Sequence, residues 1–417
     1  MKRTISILLT LVLSLSFFTS CDENRSADLM DSIVPNQEVS KNVKLSEASD
    51  AAATDFAIRL FKESANYTEN TLISPLSVLV ALSMTANGAE NETLSQIESV
   101  IGMPIDETNV WISEYTKNLP QANSYKLNLA NSIWFKGDDT FTVNDEFLQT
   151  NADYYGADIY KAPFNNSTLK EINKWVKDNT DGMIENILDE IPSDAVMCLI
   201  NALAFDAKWM ESYEDHHIRD GIFTTEKGEK RDVELMYSSE NCYLEDEKAT
   251  GFIKYYDDYE YAFVALLPNE GVTVGEYIES VDGKHINEML SNPKYNVVSA
   301  AIPKFETEYS IEMSTVLSDM GMPNAFDTVL ADFSKIGTSS DGNIKIDRVI
   351  HKTTITLDQN GTKAGAATAF LLDAESEMIE SEPPKQVFHD RPFVYMLIDC
   401  EKNIPFFLGT MMDVGEQ

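Results

Sequence analysis

The side chains best suited to nucleophilic, acid–base or metal chemistry here are five histidines and four cysteines, and their spacing builds no catalytic centre. His216, His217, His285, His351 and His389 fall in no HExxH pair and at no metal-ligand spacing from a cysteine. His216 and His217 follow Glu214 and Asp215, a pattern that reads as a solvated acidic turn. No Gly-x-Ser-x-Gly elbow, phosphate loop or dinucleotide fingerprint is present. Cys198, Cys242 and Cys400 are odd in number and lack CxxC spacing, so free thiols are expected, with Cys198 buried in the apolar run 196–204. The chain reads as a non-enzyme that needs no cofactor and no metal.

The stretch that stands out runs from Thr353 to Glu382. Thr353, Ile355 and Leu357 alternate with Thr354, Thr356 and Asp358, the period of a half-buried strand. A turn signal, Gln359-Asn360-Gly361, leads into very small side chains from Thr362 to Ala369. An acidic segment then reaches Pro383-Pro384. The small run reads either as a surface loop or as a strand held in reserve. In strand geometry Thr362, Ala364, Ala366, Thr368 and Phe370 would share one face, and Lys363, Gly365, Ala367 and Ala369 the other.

Length and composition allow one large domain: 417 residues, 43% hydrophobic, with no internal repeat and no long linker after about residue 50. A net charge of −37 with no basic stripe argues against nucleic acid and acidic membrane surfaces as partners. Lys2 and Arg3 precede an apolar run from Ile5 to Phe18, the form of a targeting segment. Phe18-Thr19-Ser20-Cys21 resembles a bacterial lipoprotein signal, which implies that residues 1–20 are removed and Cys21 is lipidated. Asp22 and Glu23 resemble an acidic surface-export signal. Residues 21–50 are then expected to be a flexible polar tether, and the protein an outer-membrane lipoprotein at the cell surface or facing the periplasm.

Further along, Ala53, Phe56, Ala57, Leu60 and Phe61 mark an amphipathic first helix. Asn70-Thr71-Leu72-Ile73-Ser74-Pro75-Leu76-Ser77 precedes a second apolar helix, with Ser74 placed to cap it and Pro75 in its first turn. The Asn-x-x-x-Ser-Pro-x-Ser segment resembles that of the serpins. More matches follow in the family's order: the strand Leu127 to Trp134, the helix around Ile172 to Val176 with Thr180 to Ile184, and the strand from Leu199 to Trp209. Leu266-Leu267-Pro268, Pro303-Lys304-Phe305, the helix Leu317 to Phe326, Ala331-Asp332-Phe333, Asp390-Arg391-Pro392-Phe393 and a C-terminal hairpin continue the series, which spans roughly 51–414. The resemblance implies a single domain over 51–417 of α+β class. It would have three β-sheets, about eight to nine helices, and a large central sheet able to accept a reactive loop, about 359–385, as an extra strand.

The same resemblance assigns roles. Gly361, Thr362, Ala364, Gly365, Ala366, Ala367 and Thr368 reproduce the hinge of inhibitory members, with Gly365 in place of an alanine and no proline or charge on the inward face. Lys363 stands where the family often has glutamate, and Asp206 where it usually has lysine. Asn70, Ser74, Pro75, Ser77, Asn201 and His351 match the shutter beneath the opening sheet, with His351 expected to hydrogen-bond Asn201. Gln359 replaces a glutamate whose usual partner matches Lys304. Counting sixteen positions on from Gln359 places the scissile bond at Glu375-Ser376, with bonds after Ala374 and Met378 as alternatives. The implied activity is irreversible, suicide-substrate inhibition of a serine or cysteine endopeptidase by a monomer. The alternative is a non-inhibitory member acting as a binding or surface protein.

Overall fold

The computed structural model describes residues 26–36, 46–120, 122, 124–137, 141–191, 195–340, 343–362 and 383–415. Residues suited to strands dominate it. The longest strands, Tyr125–Lys136, Met197–Lys208 and Lys230–Glu245, carry the alternating or continuous apolar runs expected of sheets covered on one or both faces. Among the described residues there are nine α-helices and three sheets of seven, nine and two strands.

The seven-stranded sheet positions the site. In spatial order its strands are Ala27–Asp28, Asp158–Ala162, Tyr125–Lys136, Met197–Lys208, Gly361–Thr362, Arg348–Leu357 and Phe305–Glu312. The two strands at its centre, Met197–Lys208 and Arg348–Leu357, run parallel and pair directly, but only from Cys198↔Arg348 to Ala202↔Lys352. Above that point the ladder between them ends. At the top the two-residue strand Gly361–Thr362 is wedged in, antiparallel to both, with Thr362 opposite Ala207 on one side and Leu357 on the other. Gly361 has φ 156°, and a Cβ there would lie 2.0 Å from the Ala207 carbonyl oxygen, so only glycine fits the wedge.

Each face of this sheet is packed. Leu199, Leu203, Phe205, Ile355 and Leu357 join the main core with the nine-stranded sheet and the helices Glu47–Ser64 and Pro75–Ala86. On the other face Ile200, Ala202 and Ile350 pack with Ile172 and Val176 of the helix Asn166–Asn179, which crosses the sheet's front. Ser74 caps its helix as expected: its Oγ accepts from Ser77 N at 3.4 Å, and Pro75 occupies the first turn.

Two expectations are corrected. The tether is not free of structure, because Ala27–Asp28 adds an antiparallel strand to the sheet edge at Lys161 and Tyr160. Leu29, Met30 and Ile33 pack on the core, and Asn36 N donates to Asp153 at 2.7 Å. These three apolar residues among polar neighbours, next to an edge with free ladder groups, suffice to dock the segment. The first helix, Glu47–Ser64, takes up the end of the same stretch. The helix expected from Leu317 to Phe326 is instead Ser314–Asp319 followed by a 3-10 turn, Pro323–Phe326, broken where Gly321 takes φ 122° and Pro323 follows.

Candidate functional site: an opening sheet and its hinge

Beneath the point where the two central strands part lies a fully buried polar cluster. Ser74, Ser77, Asn201, His351 and Thr353 are all inaccessible to solvent. Ser74 N donates to His351 Nε2 at 3.0 Å, which places the imidazole proton on Nδ1; from there it donates to Asn201 Oδ1 at 2.6 Å. Ser77 Oγ also donates to Asn201 Oδ1, while Asn201 Nδ2 donates to Asn131 Oδ1 at 2.9 Å. Thr353 Oγ1 donates to the Leu72 carbonyl at 2.7 Å. Burial drives the His351 pKa down to about 3, so the ring is neutral and can serve both neighbours at once. His351 and Asn201 belong to the two different central strands, so this hydrogen bond closes the sheet with polar contacts rather than with an apolar zip. Asn70 lies at the margin and ties the C-terminus, accepting from Met412 N at 2.7 Å and donating to Asp413 O at 2.6 Å.

A second cluster holds the hinge. Trp209 N donates to Asn360 O, Trp209 Nε1 to Asp358 O, and Tyr213 N to Gln359 O, each at 2.9 Å. Three consecutive carbonyls ahead of Gly361 are therefore clasped from the end of the Met197–Lys208 strand. The Trp209 ring stacks on Tyr256 with centroids 4.5 Å apart, and the Tyr256 hydroxyl meets Thr362 Oγ1 at 2.5 Å. Thr362 is 1% exposed, so the first inward residue of the hinge already faces the core. Lys304 donates to Glu234 at 2.9 Å, while Gln359 is held through its backbone carbonyl.

Of the residues expected from the sequence, Ser74, Pro75, Ser77, Asn201 and His351 come together in one cluster, and Gly361 and Thr362 enter the wedge. Ala364, Gly365, Ala366, Ala367, Thr368, the bond residues Ala374, Glu375, Ser376 and Met378, and Cys21 lie outside the described residues. Tyr213 and Tyr256 were not anticipated, since their contacts join segments far apart in sequence. Trp209 enters the sequence reading only as the end of the strand from Leu199. His216 sits in an exposed turn with its Nδ1 3.2 Å from Glu214, as the acidic context suggested.

The comparisons match this geometry. The family model described as "Serpin (serine protease inhibitor)" matches residues 51–414. The chain belongs to the serpin family. Among curated relatives, the leukocyte elastase inhibitor of Xenopus laevis is 30% identical over 375 residues, covering 86% of this chain and 97% of that protein. A serpin-like protein of Thermococcus kodakarensis is 29% identical over 374 residues, 87% of this chain and 85% of that one. Among solved structures, the thermophilic serpin tengpin in its native state is 45% identical, with a TM-score of 0.88 over 93% of this chain and all of that one. The latent state of tengpin, at 44% identity, matches with a TM-score of 0.79 over 89% of this chain and all of that one. At nearly equal identity the native form fits better, and among the described residues Gly361 and Thr362 pair within the sheet.

Proposed function

We propose that this serpin is an irreversible inhibitor of an endopeptidase of the serine or cysteine class, acting as a monomer. The observation that carries the reading is the wedge: Gly361–Thr362 sits antiparallel between two strands whose ladder ends below it, in the orientation a longer insertion would continue. Extending its register, Ala364 would fall opposite Phe205 and Ile355, Ala366 opposite Leu203 and Thr353, and Thr368 opposite Asn201 and His351. Phe205, Leu203 and Ile355 belong to the main core, so the small residues would face it. Thr368 would arrive where Asn201 and His351 now bond to each other, and its hydroxyl can replace the lost partner.

In this reading a protease cleaves the loop at Glu375-Ser376, its acyl-enzyme forms on the Glu375 carbonyl, and the hinge inserts before water hydrolyses the ester. Insertion carries the protease to the far end of the sheet and distorts its active site. Strand addition of this kind is how serpin loops enter the central sheet. Each inserted residue gains ladder hydrogen bonds worth roughly 0.5–1.5 kcal/mol, together with burial of its side chain. The acidic Glu375 side chain suits a protease with a basic specificity pocket.

The proposal extends to location: the signal-like N-terminus ending at Cys21 supports a lipid anchor, with the protein on the outer membrane. The test of inhibition is to mix the protein with serine and cysteine endopeptidases, including a glutamate-selective one, and look for a covalent complex on a denaturing gel. Cleavage without any complex across the panel would favour the non-inhibitory alternative.

A further inference from the structure

Beside the clasp on the hinge lies a cavity of about 480 Å³ that the inhibitory mechanism does not use. Its walls come from three places: Met210 and Glu211 of the segment that clasps the hinge, Glu240 and Cys242 with Lys254 and Tyr255 of two adjacent strands, and the rings of Tyr259 and Tyr295. Met210, Tyr259 and Tyr295 are 44%, 54% and 84% exposed, an unusual display of large apolar surface on one opening. Tyr255 and Tyr259 meet edge to face with centroids 5.1 Å apart.

The electrostatics of the lining are lopsided. Lys254 is its only basic residue, and it is spent: its side chain is 4% exposed, and Nζ lies 2.9 Å from Glu240 and 4.5 Å above the Tyr213 ring. Glu211 is exposed and adds a second carboxylate to the same lining. One cation against two carboxylates leaves a negative charge beside three phenol rings and a thioether. Negative charge and aromatic faces together favour a cation with a flat or bulky apolar body, and the volume suits a small organic molecule.

We propose that this cavity is a binding site for a small organic cation, a quaternary ammonium or amidinium on an apolar body, and that its occupancy biases loop insertion. The coupling follows from connectivity. Met210 N donates to Tyr255 O at 3.1 Å in the cavity wall, and its chain neighbour Trp209 holds Asp358 and Asn360. The floor lysine underlies both Trp209, at 5.4 Å, and Tyr213, which holds Gln359. A ligand seated on Met210 and Glu211 stiffens the segment that holds the turn from which insertion would continue. The coupling rests on the inserted-strand reading; the binding does not.

Calorimetric titration of the intact protein with benzyltrimethylammonium tests the binding, with benzyl alcohol and benzoate as neutral and anionic counterparts of the same body. The cation is expected to bind at least tenfold more tightly than either. Glu211→Gln and Tyr295→Ala, both at exposed positions, are each expected to weaken it fivefold or more. Equal affinity for all three probes, no binding, or binding unchanged in both variants overturns the site. Repeating the titration on loop-cleaved protein tests the coupling separately. A several-fold change in affinity is expected, and an identical affinity overturns the coupling while leaving the site intact.

Discussion

At the residue scale the buried polar cluster depends on a neutral histidine. His351 has its pKa lowered to about 3 by burial against an ordinary value near 6.5, and His389 is lowered likewise to about 3. The unfolded chain therefore binds protons that the native chain refuses. The contribution is fully present above about pH 6.5 and is lost as pH falls toward 3, at up to about 1.4 kcal/mol per pH unit for each histidine. Thermal melts from pH 7 to pH 4 should show this slope, and His351→Gln should remove about half of the part the two histidines supply. An unchanged slope in the variant would show that His351 does not titrate with opening. The bond attacked is also a residue-scale question. The C-terminal fragment released from a denatured protease complex should begin at Ser376, whereas a start at Glu375 or at Ile379 would move the bond to Ala374 or Met378.

At the scale of elements, the hinge works only if small uncharged side chains enter the core face and the outer face finds partners. Thr362 is already buried against Tyr256, so Thr362→Arg forces a charge into the slot, and Ala366→Pro removes a ladder donor further along. Under the proposed mechanism both variants should become substrates that are cleaved and released, seen as a shift from covalent complex to cleaved band. On the outer face, continuing the register of Thr362 would set Lys363 opposite Asp206. These two residues reverse the charges the family usually has there, so insertion would keep the pair with its signs exchanged. Asp206→Lys should therefore raise the number of inhibitor molecules consumed per protease trapped, and the double variant with Lys363→Glu should restore it. Equal stoichiometry in the single variant would deny the register.

These elements differed in how plainly the sequence announced them. The strand around Thr353 to Leu357, the Ser74 cap and the small-residue run declared themselves through local periodicity and turn chemistry, and the Asn201–His351 pair came from family resemblance rather than from any local signal. The clasp by Trp209, Tyr213 and Tyr256 stayed hidden because it joins segments up to about 150 residues apart, and backbone amides do most of the holding. The docked segment 26–36 was misread because its polar composition outweighed Leu29, Met30 and Ile33, and only the free sheet edge beside Asp158–Ala162 shows why those three suffice.

For the whole molecule, the proposed mechanism would make the fold metastable, with a central sheet able to take one more strand. A lipid on Cys21 would place this device at a membrane. Membrane fractionation of cells expressing the protein should find it in the outer-membrane pellet, and Cys21→Ala should release it or block its processing; identical partition of the two would remove the anchor. The central claim is that the loop completes the sheet. The most direct measurement is calorimetry of the intact protein against protein nicked once between Asp373 and Met378. Insertion of about nine residues, each gaining ladder hydrogen bonds, should raise the melting temperature by on the order of ten degrees or more. A melting temperature that stays the same or falls after cleavage would contradict insertion.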